Sequence, residues 1–128
     1  MTQQPPDAAE RMTFIALHGP DDAEIAILPF MLGVAALAMD VSVTIVLQGP
    51  GVLLAHKGVP EHVFAGCKGT SLKTLMDQFH ELGGKLVVCT PCAESRKLRR
   101  ERLVDGAELV KAARVVSDLL ASTSTLTF

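Results

Sequence analysis

The sequence has no Trp and no Tyr, and its aromatic residues are five Phe. Proteins that grip single-stranded nucleic acid stack bases on aromatic side chains, so that class is disfavoured. A basic excess is missing too. Twelve Lys and Arg face 14 Asp and Glu, for a net charge of −2, and the isoelectric point is near 6.0. That balance argues against general nucleic-acid binding. Cysteine is scarce: Cys67, Cys89 and Cys92. Three is an odd number and too few for a disulfide scaffold, so the thiols read as reduced and the compartment as cytoplasmic. No apolar run reaches membrane length. Ile25 to Met39 is 15 residues, interrupted by Pro29 and Gly33, whereas a span needs about 20. This stretch reads as a buried helix. Met1 to Arg11 is polar and lacks the basic start and apolar stretch of a leader. It reads as a loose tail ahead of one domain over residues 12–128.

What is present describes a globular α/β chain. The length of 128 residues suits one domain, and 48% apolar with 20% charged residues is a globular composition. Thr13 to Leu17 and Val41 to Leu47 are apolar and β-prone, the second rich in branched residues. His18-Gly19-Pro20-Asp21-Asp22 supplies turn chemistry and acids for a helix start, and the helix runs to about Ala38 with Pro29 marking a kink or a late start. Gln48 to Gly51 is a loop, Val52 to His56 one or two helical turns, and Gly58 to Thr70 irregular. Ser71 reads as an N-cap. Leu72, Leu75, Met76, Phe79 and Leu82 have helical spacing, stopped by Gly83-Gly84. Lys85 to Val88 is a strand, and a short basic helix is expected from about Pro91 to Arg100. Leu103 to Val110 is ambiguous and has room for a short strand. Leu109, Ala113, Val116 and Leu120 mark a last helix, and Ser124 to Phe128 a final strand. Alternating strands and helices predict a three-layer sandwich around a mostly parallel sheet of four or five strands. Ligands of such sheets sit beyond the carboxyl ends of the strands. The loops at His18–Asp22, Gln48–Val52 and Cys89–Cys92 are therefore the candidate sites.

Cys89-Thr90-Pro91-Cys92 is the most informative tetrapeptide. It follows an apolar strand and opens a helix, where backbone N–H groups favour an anion. A thiolate there is stabilised, and the thiolate is the reactive form. The opposing reading is two small buried apolar residues, since free Cys is often buried and inert. Basic residues gather nearby: Arg96, Lys97, Arg99, Arg100 and Arg102 are five of the twelve Lys and Arg. Residues 1–64 hold 2 basic and 7 acidic groups, net −5, and residues 65–128 hold 10 and 7, net +3. On one continuous helix Cys92, Arg96, Arg99 and Arg100 would share a face, able to steer anions or an acidic partner. The alternative is a solvated face with Glu94 and Glu101 interspersed. His18 has the best position of the four His, at the presumed mouth. Cys67, in a Gly-Cys-Lys-Gly loop, reads as incidental. Gly49-Pro50-Gly51 fits no phosphate-loop pattern and reads as a tight turn. The Cys spacing lacks the second paired unit of a zinc site, so no metal and no cofactor are expected.

In order along the chain, His18-Gly19-Pro20, a small-residue-rich helix, a strand leading to Gly51-Val52, Val88-Cys89 followed by Arg99-Arg100, and a terminal Leu126-Thr127-Phe128 resemble the DsrE/DsrF-like family of small sulfur-relay proteins, TusD-like subunits included. The resemblance covers about residues 12–128. It implies a subunit that assembles into homotrimers or hexamers and a sulfurtransferase-type persulfide carrier. It implies that Cys89 accepts sulfane sulfur, with Cys92 as a second thiol that resolves or relays. Partners would be a sulfur donor and an acceptor, rhodanese-like or TusA-like, guided by His18, Arg96, Arg99 and Arg100. No nucleic acid and no membrane are expected. The sequence departs from the family pattern in three places. Two residues are added between Cys89 and Arg99-Arg100, Glu101 stands where a Gly usually follows that pair, and Cys92 has no TusD-like counterpart. Two other classes compete. Cys-x-Pro-Cys resembles a dithiol redox motif, and a non-catalytic subunit would use the fold for assembly with idle thiols.

Overall fold

The computed structural model describes residues 9–66 and 69–128. Most of the expected tail and Cys67 lie outside them. The β-prone stretches form β1 (Arg11–Ala16), β2 (Ser42–Leu47), β3 (Lys85–Cys89), β4 (Ala107–Val110) and β5 (Ser124–Thr127). They make one sheet in the order β4-β3-β2-β1-β5, with every neighbouring pair parallel. β1 starts at Arg11, two residues before the expected strand, because the Ser42 N–H bonds the Glu10 carbonyl and extends the ladder. Parallel neighbours need crossovers, and α1 (Ala23–Ala38), α2 (Leu72–Glu81), α3 (Thr90–Ser95) and α4 (Ala112–Ala121) supply them. No helix among the described residues is long and apolar enough to cross a membrane.

The pleat divides the core. Phe14, Ile45, Leu47, Leu86 and Val88 face α1 and α2, together with Ile27, Phe30 and Phe79. Val46, Val87 and Val110 face the other way and meet Val115 of α4. The result is the expected three-layer sandwich, with all five strands parallel. α1 continues through Pro29 without a break in helix assignment. It buries Ala26, Ile27, Phe30, Gly33 and Ala36, while Leu28, Met31 and Leu32 stay 40–48% exposed and Met39 74%. The last helix departs from its expected register. Leu109 belongs to β4. Val116 and Leu120 point to solvent at 52% and 83% exposure, while Val115 and Leu119 face the sheet. The sheet floor here is the row Val46–Val87–Val110, and the α4 positions one residue earlier in each turn lie over it.

Helix ends explain the largest boundary error. α3 stops at Ser95, not near Arg100. Lys97 takes φ +56. Its N–H bonds the Glu94 carbonyl, and the Leu98 N–H bonds the Ala93 carbonyl. That is a Schellman closure with Lys in the left-handed position usually held by Gly. Leu98 drives it, because turning back leaves its side chain only 4% exposed. α1 closes the same way, with Asp40 at φ +63 and Val41 N–H bonded to the Ala36 carbonyl. α2 does so at Gly83, and its start is capped as expected by Ser71, whose Oγ accepts the Thr74 N–H at 3.2 Å. Leu98→Ala should lower stability by about 2 to 5 kcal/mol, as for other buried leucines. Urea unfolding would show it as an earlier midpoint, and an unchanged midpoint would contradict this account of the helix end.

Candidate functional site

The strand order sets β3, β2 and β1 side by side, so the loops after them share one rim. Backbone contacts lock the rim together. The Gly51 backbone lies against β1, where an added Cβ would sit about 2.2 Å from the Ala16 carbonyl oxygen. Gln48 N–H bonds that same carbonyl at 3.1 Å. The 3-10 segment Gly49–Ala55 therefore packs against both β1 and α3. At the other side Thr90 Oγ1 donates to the Val110 carbonyl at 2.8 Å, pinning the start of α3 to β4.

Cys89 is the last residue of β3, and Cys92 lies in the six-residue helix α3 that follows. Both are free and partly exposed. The ionisation of the two thiols is pushed in opposite directions. Burial raises Cys89, and its hydrogen bond to Cys92 raises it further. Cys92 is lowered, first by the hydrogen bond from Cys89, then by one from the Gly49 backbone N–H and by the Arg96 guanidinium; burial opposes these. Of the two, Cys92 is the thiol more readily ionised. Thiolate at Cys92 is therefore populated at lower pH than in a free cysteine.

Of the expected basic residues, Arg96 is at the site. Its Nη1 donates to the Cys92 carbonyl at 3.1 Å and to Ser95 Oγ at 3.3 Å. Arg99 and Arg100 are not on a helix face with Cys92, because the chain turns at Lys97. They line a separate open groove of about 640 Å³ with Thr90, Leu98 and Leu109 as its floor. His18 sits two residues past β1 with Nδ1 buried and unpartnered, and no hydrogen bond among the described residues links it to either thiol. The Gly49–Ala55 segment packs on α3, a neighbour of the thiols that the turn reading of Gly-Pro-Gly did not include. The signal available was its place in a loop at the carboxyl end of the neighbouring strand. A second cavity, about 590 Å³ between α2 and residues 104–106, holds none of these residues. No group of three metal-ligating side chains occurs among the described residues.

The DsrE/DsrF-like family model matches residues 10–128, and the chain belongs to that family. Membership suggests a function related to sulfur relay. The chain is 28% identical over 123 residues to an uncharacterised protein of Methanocaldococcus jannaschii, covering 92% of this chain and 99% of that one. It is 27% identical over 124 residues to an uncharacterised protein of Methanopyrus kandleri, covering 96% and 98%. The fold is similar to the YchN protein of E. coli, with a TM-score of 0.79, 16% identity and coverage of 93% and 99%. It is also similar to a conserved protein of unknown function from Bacteroides thetaiotaomicron, with a TM-score of 0.70, 15% identity and coverage of 98% and 100%.

The paired thiols predict easy closure to a disulfide. Mild oxidation with diamide should join the peptides of Cys89 and Cys92 within one chain, as read by mass spectrometry without reduction. Oxidation that leaves both thiols open to alkylation would contradict the geometry.

Proposed function

We propose that the protein is a cytoplasmic sulfur carrier that accepts sulfane sulfur as a persulfide at the Cys89–Cys92 pair and hands it to a partner protein. Two free thiols three residues apart, where β3 passes into α3 at the carboxyl edge of a parallel sheet, carry this reading. A thiolate attacks the outer sulfur of a donor persulfide, the donor's S–S bond breaks, and the donor leaves as thiolate. Passage onward repeats the same exchange with the acceptor's thiolate as the attacking group. The groove beside α3 is lined by Lys97, Arg99 and Arg100 with Glu94 and Glu101 among them, and its small positive excess suits an acidic surface of a donor or acceptor of the rhodanese-like or TusA-like kind. His18 stands on the same rim. Free thiols of this sort persist in a reducing compartment.

The exposed apolar side of α1 supports assembly of this chain with copies of itself, a trimer or a hexamer. Leu28, Met31 and Leu32 together expose a contiguous apolar strip, and such strips mark contact surfaces. Met31→Glu should shift the protein to the mass of one subunit in sedimentation velocity. A wild type that already runs as a single subunit would contradict assembly.

A dithiol redox function is the second reading, favoured by the same pair of free thiols three residues apart. One experiment separates the two. Protein incubated with a polysulfide donor should gain the mass of at least one sulfur atom, and Cys89→Ser with Cys92→Ser in one chain should lose that gain. Disulfide reductase turnover with no sulfur gained would move the assignment to redox chemistry.

A further inference from the structure

The cavity between α2 and residues 104–106 lies away from the thiols. Leu86, the second residue of β3, and Gly106, just before β4, line it. Cys89 closes β3 at the other end. After β4 the chain crosses to α4, on the opposite face of the sheet. The β4 side of α2 is therefore walled by residues 57–61 and 104–106. The space measures about 590 Å³, the size of a small-molecule site.

Its floor is apolar and held in place. Met76, Phe79 and Leu86 line it while only 2–8% exposed. The Phe79 ring meets Phe30 edge to face at 5.9 Å between centroids. It also lies against the backbone of Gly84, where an added Cβ would stand 2.4 Å from the ring. Gly106, at φ +85, takes the His80 ring in the same way, 2.7 Å from where a Cβ would be. The rim is charged. Lys57 and Lys73 face three carboxylates, Glu61, Asp77 and Asp105, which leaves one negative charge in excess. Lys73 Nζ pairs with Asp77 at 2.6 Å. Glu61, Asp105 and Lys57 form no ion pair among the described residues. The Lys73 ammonium is raised first by its hydrogen bond to Asp77 and, against burial, by the charges of Asp77, Glu61 and Asp105. All three carboxylates thus act on one stretch of rim.

We propose that this cavity binds a small organic cation, an amine on an apolar body. The body lies on Met76, Phe79 and Leu86, and the ammonium faces Glu61 and Asp105. The apolar floor supplies most of the affinity, and the acidic excess selects the sign of the ligand's charge.

Phenethylamine is a suitable probe, and phenylacetate carries the same ring with the opposite charge. Titration of the full chain, followed by amide NMR shifts, should give changes centred on Gly58, His80, Gly84 and Gly106. Phenylacetate should bind more weakly than the amine. Glu61→Gln and Asp105→Asn replace exposed side chains with neutral ones of like shape. Each should weaken the amine about two- to fivefold, the worth of one partly exposed ion pair, and leave phenylacetate no weaker. The chain with Cys89→Ser and Cys92→Ser should bind the amine as the wild type does, which separates this site from the sulfur chemistry. Shifts centred elsewhere, phenylacetate binding as tightly as the amine, or an amine affinity that neither carboxylate substitution changes would overturn the proposal.

Discussion

Parallel pairing of all five strands is the constraint on which the site depends. In a parallel sheet every carboxyl end points the same way, and each return connection must cross a face. The order β4-β3-β2-β1-β5 then makes neighbours of three loops that begin at His18, Gln48 and Cys89, far apart in sequence. The Gly51 backbone against Ala16 and the Gln48 N–H on the same carbonyl fix the middle loop to β1. Thr90 Oγ1 on Val110 fixes the third loop to β4. The Gly49–Ala55 segment meets α3 because both ends of this chain of contacts are anchored.

On that rim the chemistry follows from unequal surroundings for two like groups. One proton between two nearby thiols settles on the sulfur that is harder to charge. Burial makes that sulfur Cys89, and the amide and guanidinium around Cys92 favour the charge there. α3 is six residues, fewer than two turns, so its dipole is small and the Arg96 charge near Cys92 counts for more than the helix. The exposed arginines beyond Lys97 belong to a different surface, and a partner reaching the thiols would touch both.

Much of the fold was legible because its signals are local. The branched run Val43-Thr44-Ile45-Val46 announces a strand, and Ser71 announces a helix start that the Thr74 N–H confirms. Alternation of strands and helices gives the parallel sandwich. The errors share one cause, which is tertiary packing overriding a local pattern. Leu98 turns inward and ends α3 with a Lys where Gly is the usual mark. α4 is apolar on two adjacent stripes, and only the sheet decides that Val115 and not Val116 goes inside. The site was legible as a thiol pair at a strand end. The wall beside the pair was not, because the segment that packs on α3 starts 40 positions before Cys89 and carries no side-chain signal of that packing.

The central claim is that this chain holds transferable sulfur on its paired thiols. Cyanide strips sulfane sulfur as thiocyanate, so cyanolysis of protein loaded with polysulfide and freed of excess donor measures it directly. The account predicts thiocyanate in proportion to protein from the wild type and none from the chain with both Cys89 and Cys92 replaced by Ser. Equal thiocyanate from the two would contradict it.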